Sequence, residues 1–171
     1  MIAVCGPHDA SADELALAEA LGRAIAGAGH ALICGGRGGV MEAACRGAKH
    51  AGGTTIGILP GRDRAEANPW VDHAICTGLG EARNAVVVAS GDVVIAVGGG
   101  FGTLSEIGLA LKVGRTVVSL DSWRLDAARV ARFGGTDRLL EAAHPDEALA
   151  LALAAIATDT NRLEAPPSSH G

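Results

Sequence analysis

Aromatic side chains are nearly missing from this chain of 171 residues: Trp70, Phe101, Trp123 and Phe133 are the only ones, and there is no tyrosine. Basic charge is also short, with 14 lysines and arginines against 19 aspartates and glutamates, a formal net charge of −5. No basic block stands out. A protein that tracks a nucleic-acid backbone needs a positive surface and often stacking aromatics, so no nucleic-acid partner is expected. The uncharged stretch from Val93 to Ser105 is too short and too glycine-rich to span a bilayer, and no membrane partner is expected either. The four cysteines, Cys5, Cys34, Cys45 and Cys76, show no CxxC spacing. Without a signal-peptide pattern they read as reduced thiols of a cytoplasmic protein. The six histidines lack any HxxxH pairing, so no metal site is expected; no resident cofactor is expected.

What the chain does have is aliphatic bulk and glycine: 49% hydrophobic residues and 25 glycines. The length suits one domain, expected over residues 1–157, followed by a flexible tail over 158–171 with Pro166-Pro167-Ser168-Ser169. Short apolar runs read as strands at Ile2–Cys5, Ala31–Cys34, Thr54–Leu59, Asp72–Cys76, Asp92–Val97 and Thr116–Leu120. Between them lie amphipathic segments. Ser11-Ala12-Asp13-Glu14 is a capping box opening a helix whose apolar face carries Leu17, Leu21, Ile25 and Ala28. Further helices are expected at Met41–Ala51, Gly80–Ala89 and through Glu106. A broken helical region follows over Asp126–Ala143, then a last helix from Pro145 with Leu149, Leu153 and Ile156 turned inward. Strands that are apolar throughout are covered on both faces. The fold class is therefore α/β: a single-domain, Rossmann-like, doubly wound parallel sheet with helices on both faces and right-handed crossovers.

Ligands of such sheets bind beyond the carboxyl ends of the strands. Two glycine-rich turns, at positions 35–39 and 98–102, each follow a strand and precede a helix, so both should open on that edge. In the second, Gly98-Gly99-Gly100-Phe101-Gly102-Thr103-Leu104-Ser105-Glu106, the glycines let the backbone approach a ligand closely. The amides that open the following helix lack intrahelical partners and suit a phosphate or carboxylate. A Walker A loop would end in Gly-Lys-Ser/Thr, and Gly102-Thr103 lacks the lysine. A dinucleotide fingerprint would follow the first strand, where Gly6-Pro7-His8 stands instead.

Three ordered motifs carry a resemblance: Cys34-Gly35-Gly36-Arg37-Gly38-Gly39-Val40-Met41-Glu42-Ala43, Gly78-Leu79-Gly80-Glu81-Ala82-Arg83-Asn84, and the turn leading to Glu106. Together, over about Ile2 to Ile156, the chain resembles the LONELY GUY and "lysine decarboxylase-like" Rossmann proteins. That resemblance implies a homodimer and a nucleoside 5′-monophosphate phosphoribohydrolase, which cuts the N-glycosidic bond to release free base and ribose 5-phosphate. The small-molecule partner would be a nucleoside monophosphate or similar phosphorylated ligand. It further implies Arg83 and Glu106 as catalytic residues. Where the family motif begins with proline this chain has Gly98, and the family's Arg-Lys pair is Arg83-Asn84. In these two departures the chain is similar to a neighbouring subfamily that includes molybdenum-cofactor carrier proteins. The alternative function is accordingly a non-catalytic carrier of a nucleotide or phosphorylated pterin.

Each candidate has a plainer reading beside the functional one. Glu106 either stabilises an oxocarbenium-like transition state, favoured in its ionised form by the helix start, or closes a capping box with Thr103. Arg83 binds phosphate or pairs with Glu81 or Glu106. Gly35 and Gly36 contact phosphate or sugar, or form a tight turn. Gly99, Gly100, Gly102 and Thr103 hold phosphate, with Thr103 as N-cap the other option. Arg37 is a ligand clamp or a solvated loop residue, and His8 faces the pocket edge or is simply a loop residue. Met41 and Phe101 are core or pocket wall. Asn68-Pro69-Trp70 could form a stacking platform or lid.

Overall fold

A computed structural model describes residues 1–135 and 137–164, with side chains through Asp159. Seven strands form one sheet: β1 (Ile2–Cys5), β2 (Leu32–Cys34), β3 (Thr55–Leu59), β4 (His73–Cys76), β5 (Val93–Val97), β6 (Val117–Leu120) and β7 (Leu139–Ala142). Their order is β4-β3-β2-β1-β5-β6-β7, and every pair is parallel. The helices are α1 (Ala12–Gly27), α2 (Val40–His50), α3 (Asn84–Ser90), α4 (Phe101–Lys112), α5 (Ala127–Arg132) and α6 (Pro145–Glu164).

The central strand shows why the strand runs are apolar rather than alternating. Ile2 and Val4 point into a core shared with Ala18, Leu21 and Ile25 of α1, Ala44 of α2 and Ala148 and Ala152 of α6. Ala3 and Cys5, pointing the other way, meet Val87 and Val88 of α3 and Ile107 and Ala110 of α4. Successive side chains thus enter two different cores. The capping box at α1 is formed, with the Glu14 amide donating to Ser11 Oγ at 3.2 Å and the Ser11 amide to Glu14 Oε2 at 2.7 Å.

Three expectations are corrected. The segment from Asp126 to Ala143 is not helical throughout: α5 covers only Ala127–Arg132, and Leu139–Ala142 adds a seventh strand beside β6. Its small size and mixed burial left no clean periodicity to read. Ala28 is the exposed residue after α1, while Ala18 and Gly22 complete the buried face. Gly80–Ala89 divides into a single 3-10 turn over Gly80–Arg83 and then α3. Helix α6 runs through Glu164, and the remainder of the expected tail lies outside the described residues. No described helix is long and apolar enough to cross a membrane.

The chain winds outward from β1 through β2 and β3 to β4, then returns to the other side of β1 with β5. The connections leaving β1 and β5 therefore diverge, and a crevice opens between them at the carboxyl edge.

Candidate functional site

Helix α4 starts at Phe101, with Gly100 as N-cap and no side chain capping it. The first bond of its ladder runs from the Leu104 amide to the Gly100 carbonyl at 3.0 Å. The amides of Phe101, Gly102 and Thr103 consequently have no acceptor among the described residues. They stand at a cavity of about 230 Å³ lined by Gly6, Pro7 and His8 after β1, Arg37 and Met41 after β2, Glu81, Arg83 and Asn84 around the start of α3, and Gly100, Gly102, Thr103 and Glu106. Three clefts are larger: one of about 270 Å³ adjoins the cavity at His8 and is lined by Gly39, Glu42 and Arg46, and two lie away from the crevice. One, of about 460 Å³, includes Thr116 and Arg138 at the amino ends of β6 and β7; the other, of about 570 Å³, lies between α4 and α5. Chemistry, not size, marks the smaller cavity.

Thr103 is 1% exposed, and its Oγ1 is buried without a hydrogen-bond partner. Because Gly100 is the N-cap, Thr103 falls three residues into the helix and does not cap it. Arg83 is 6% exposed; its Nη1 donates to Asn84 Oδ1 at 2.7 Å and lies 3.5 Å from Glu106 Oε1, while its Nε has no partner. An unpaired buried donor costs about 1–3 kcal/mol, so several around one cavity point to an acceptor arriving from outside.

Glu106 lies in the second turn of α4, and because Thr103 is inside the helix rather than its N-cap, the two form no capping box. Nor does the helix start keep it ionised. Burial pushes its carboxyl up to about 7, against the opposing pull of the Arg83 guanidinium and a hydrogen bond with Cys5, while the Glu81 charge adds to the rise. The ion pair with Arg83 settles which acid Arg83 takes: Glu106 rather than Glu81.

Gly100, Gly102, Thr103, Arg83 and Glu106 are thus brought together around one cavity. The other three candidates sit elsewhere. Gly35 lies under Arg83, where an added Cβ would come within 2.6 Å of the guanidinium. Gly36, with φ +73°, packs on Leu59 and Gly57. The Gly99 amide donates to Glu14 Oε1 at 3.3 Å, so a carboxylate of the protein already occupies it. Phe101 is neither core nor cavity wall: it is 84% exposed and stacks on Trp123, whose Nε1 donates to the Gly100 carbonyl at 3.1 Å. Asn68 braces the first glycine turn, its amide donating to the Gly36 carbonyl at 2.9 Å and its side chain to the Arg37 carbonyl at 3.0 Å. Trp70 turns toward His50, so the loop is a strut rather than a platform.

The sequence reading missed Gly6 and Pro7, although their place directly after the first strand was a usable signal. Glu14 gave none: its second role lies 85 positions away in the chain.

Residues 1–149 match the SLOG cluster4 family. The chain belongs to that family. A molybdenum cofactor binding protein of Rippkaea orientalis is 43% identical, with a TM-score of 0.83 over 91% of this chain and 96% of that one. The molybdenum cofactor carrier protein of Chlamydomonas reinhardtii is 40% identical, with a TM-score of 0.82 over 91% and 97%. A cytokinin riboside 5′-monophosphate phosphoribohydrolase of Mycobacterium tuberculosis is more distant, 32% identical over 128 residues, which is 70% of this chain and 68% of that protein. The relationship that the three motifs suggested therefore holds, with the carrier proteins on the nearer side.

Geometry accounts for one departure from the hydrolase motif. Gly98 has φ +65°, and a side chain there would collide with the Glu14 carboxylate. Proline, locked near −65°, cannot adopt that backbone.

Proposed function

We propose that this SLOG protein binds a phosphorylated pterin-type cofactor as cargo and does not cleave it. The observation that carries the proposal is that one cavity is lined by Arg83, Gly102 and Thr103, where Thr103 Oγ1 and Arg83 Nε are buried without partners and the amides of Phe101, Gly102 and Thr103 lack acceptors among the described residues. A phosphate supplies acceptors to all of them, and the positive end of α4 favours its charge. Similarity to carrier proteins over nine-tenths of both chains supports a phosphorylated cofactor as the group attached to that phosphate. In this reading Arg83 neutralises the phosphate, Thr103 donates its hydroxyl, and Glu106 sets the charge of the cavity. The homodimer implied by the family resemblance is part of the proposal, and the mass in solution by light scattering checks it.

A phosphoribohydrolase is the second reading, favoured by the presence of Arg83 and Glu106 in the same cavity. An ionised carboxylate beside an anomeric carbon can stabilise an oxocarbenium-like transition state. Against this, Glu106 is near half-protonation at neutral pH and already engaged by Arg83 and Cys5. One pair of measurements separates the two readings. Incubation with AMP and N6-substituted analogues is expected to release no free base, while a phosphorylated pterin is expected to bind more tightly than its dephosphorylated form. Release of base at many turnovers would overturn the carrier reading.

A further inference from the structure

Asn84 stands where the family's hydrolase motif has lysine, and its surroundings give it a definite task. It is 5% exposed and borders the cavity. Its Oδ1 accepts from Arg83 Nη1 at 2.7 Å, and its Nδ2 donates to Ser105 Oγ at 3.0 Å. Ser105 Oγ in turn donates to the Gly102 carbonyl at 2.8 Å. An unbroken chain of hydrogen bonds therefore runs from the guanidinium, across Asn84 and Ser105, to the turn whose amides face the cavity.

We infer that Asn84 is the positioning residue of this site: it fixes Arg83 relative to the first turn of α4, so that guanidinium and amides are preset to share one phosphate. The inference rests on the phosphate-binding reading above. Only a side chain with an acceptor and a donor at once can complete the chain. Lysine has three donors and no acceptor, and would place a second cation against Arg83. Aspartate accepts from Arg83 but offers Ser105 no donor, so the serine hydroxyl would have to leave Gly102 to reach it. Asparagine's amide satisfies both ends, and the arginine fixes which end is oxygen. Other groups hold Arg83 as well: Glu106 by charge, and Gly35 by leaving room for the guanidinium. Asn84 adds a second tie to α4: a charge-assisted bond from Arg83 continued through the uncharged side chains of Asn84 and Ser105. Truncation at 84 leaves the guanidinium in the cavity with one restraint fewer, and a phosphate would then bear the cost of ordering it.

The test uses a fluorescent pterin with and without its phosphate, titrated into wild-type, Asn84→Leu, Asn84→Lys, Ser105→Ala and Asn84→Leu/Ser105→Ala chains, with thermal melts alongside. Asn84→Leu is expected to weaken the phosphorylated probe about tenfold and to leave the dephosphorylated probe unchanged. Ser105→Ala is expected to act in the same direction but less, and the double variant no worse than Asn84→Leu alone, because both residues serve one chain. Asn84→Lys is expected to lower the preference for the phosphorylated probe despite its added positive charge. Three results overturn the inference: Asn84→Leu binding like wild type, equal loss for both probes tracking a lowered melting temperature, or additive effects of the two substitutions. If neither probe binds the wild-type chain, the phosphate reading itself fails and this inference with it; a wild type that prefers the phosphorylated probe, with variants that do not differ, refutes the positioning role alone.

Discussion

The two glycine-rich turns look alike as text and do different work. In the turn after β2, the missing side chains make room for other protein atoms: Gly35 for the Arg83 guanidinium, and Gly39, at φ +65°, for the carbonyls of Pro7 and His8. In the turn after β5, an added Cβ at Gly102 would meet nothing within 4 Å, and one at Gly100 would only touch Pro7 at 3.6 Å. The first turn is packed; the second is packed at Gly98, against the Glu14 carboxylate, and open at Gly100 and Gly102. A glycine run alone therefore does not identify a phosphate cradle: after the first turn the Val40 amide already donates to the Pro7 carbonyl at 3.0 Å, whereas after the second the amides of Phe101, Gly102 and Thr103 all lack an acceptor among the described residues.

Substitutions should separate the turns sharply. Gly39→Ala places a methyl against the backbone of Pro7 and His8 in a left-handed conformation, and a loss of roughly 3 kcal/mol or more is expected in chemical denaturation. A near-neutral result would mean that the first turn is not packed as described.

The next effect in size belongs to Glu106. Its carboxyl titrates near 7 in the folded chain against an ordinary value of 4.5, so between those values the folded state holds a proton that the unfolded state has lost. Its contribution is therefore fully present below the ordinary value and disappears as pH rises through the folded one, a total of about 3 kcal/mol. Wild type should lose stability relative to Glu106→Gln as pH climbs from 5 to 8. A difference that is flat or rises over that range would contradict the burial of an acid beside the second turn.

Gly35→Ala comes third. The colliding atoms are the end of a flexible side chain, so the guanidinium moves and the fold survives. Affinity for a phosphorylated probe is expected to drop at least tenfold, equivalent to about 1.4 kcal/mol, with little change in melting temperature. Unfolding instead would place Gly35 with Gly39 as a packing residue only. The smallest effect is expected at Gly102→Ala, where alanine's better helix propensity should leave stability unchanged or raise it by up to about 1 kcal/mol. A marked loss there would remove the distinction between the turns.

Much of the fold was legible because its signals are local. The capping box at Ser11 and Glu14, the strand ends at Cys5, Cys34 and Cys76, and the alternation of strand and helix are each set by neighbours in sequence. Strand β7 escaped because its residues are only partly buried at a sheet edge and carry no periodicity. Of the candidate site residues, the motifs point to Arg83, Glu106, Gly100, Gly102 and Thr103, and one cavity is lined by all five. What sequence could not supply was partnership across the fold. Glu14 takes the Gly99 amide, Gly35 makes room for the Arg83 guanidinium, and Gly100, not Thr103, caps α4. Each depends on where a distant segment returns, and spacing along the chain carries no record of that.

A crystal of this protein soaked in phosphate gives the most direct reading of the site. The anion is expected on the amides of Phe101, Gly102 and Thr103, within hydrogen-bond distance of Thr103 Oγ1 and the Arg83 guanidinium. An anion bound instead at Arg37 or elsewhere, with those donors still empty, would contradict the assignment of the α4 start as the phosphate seat.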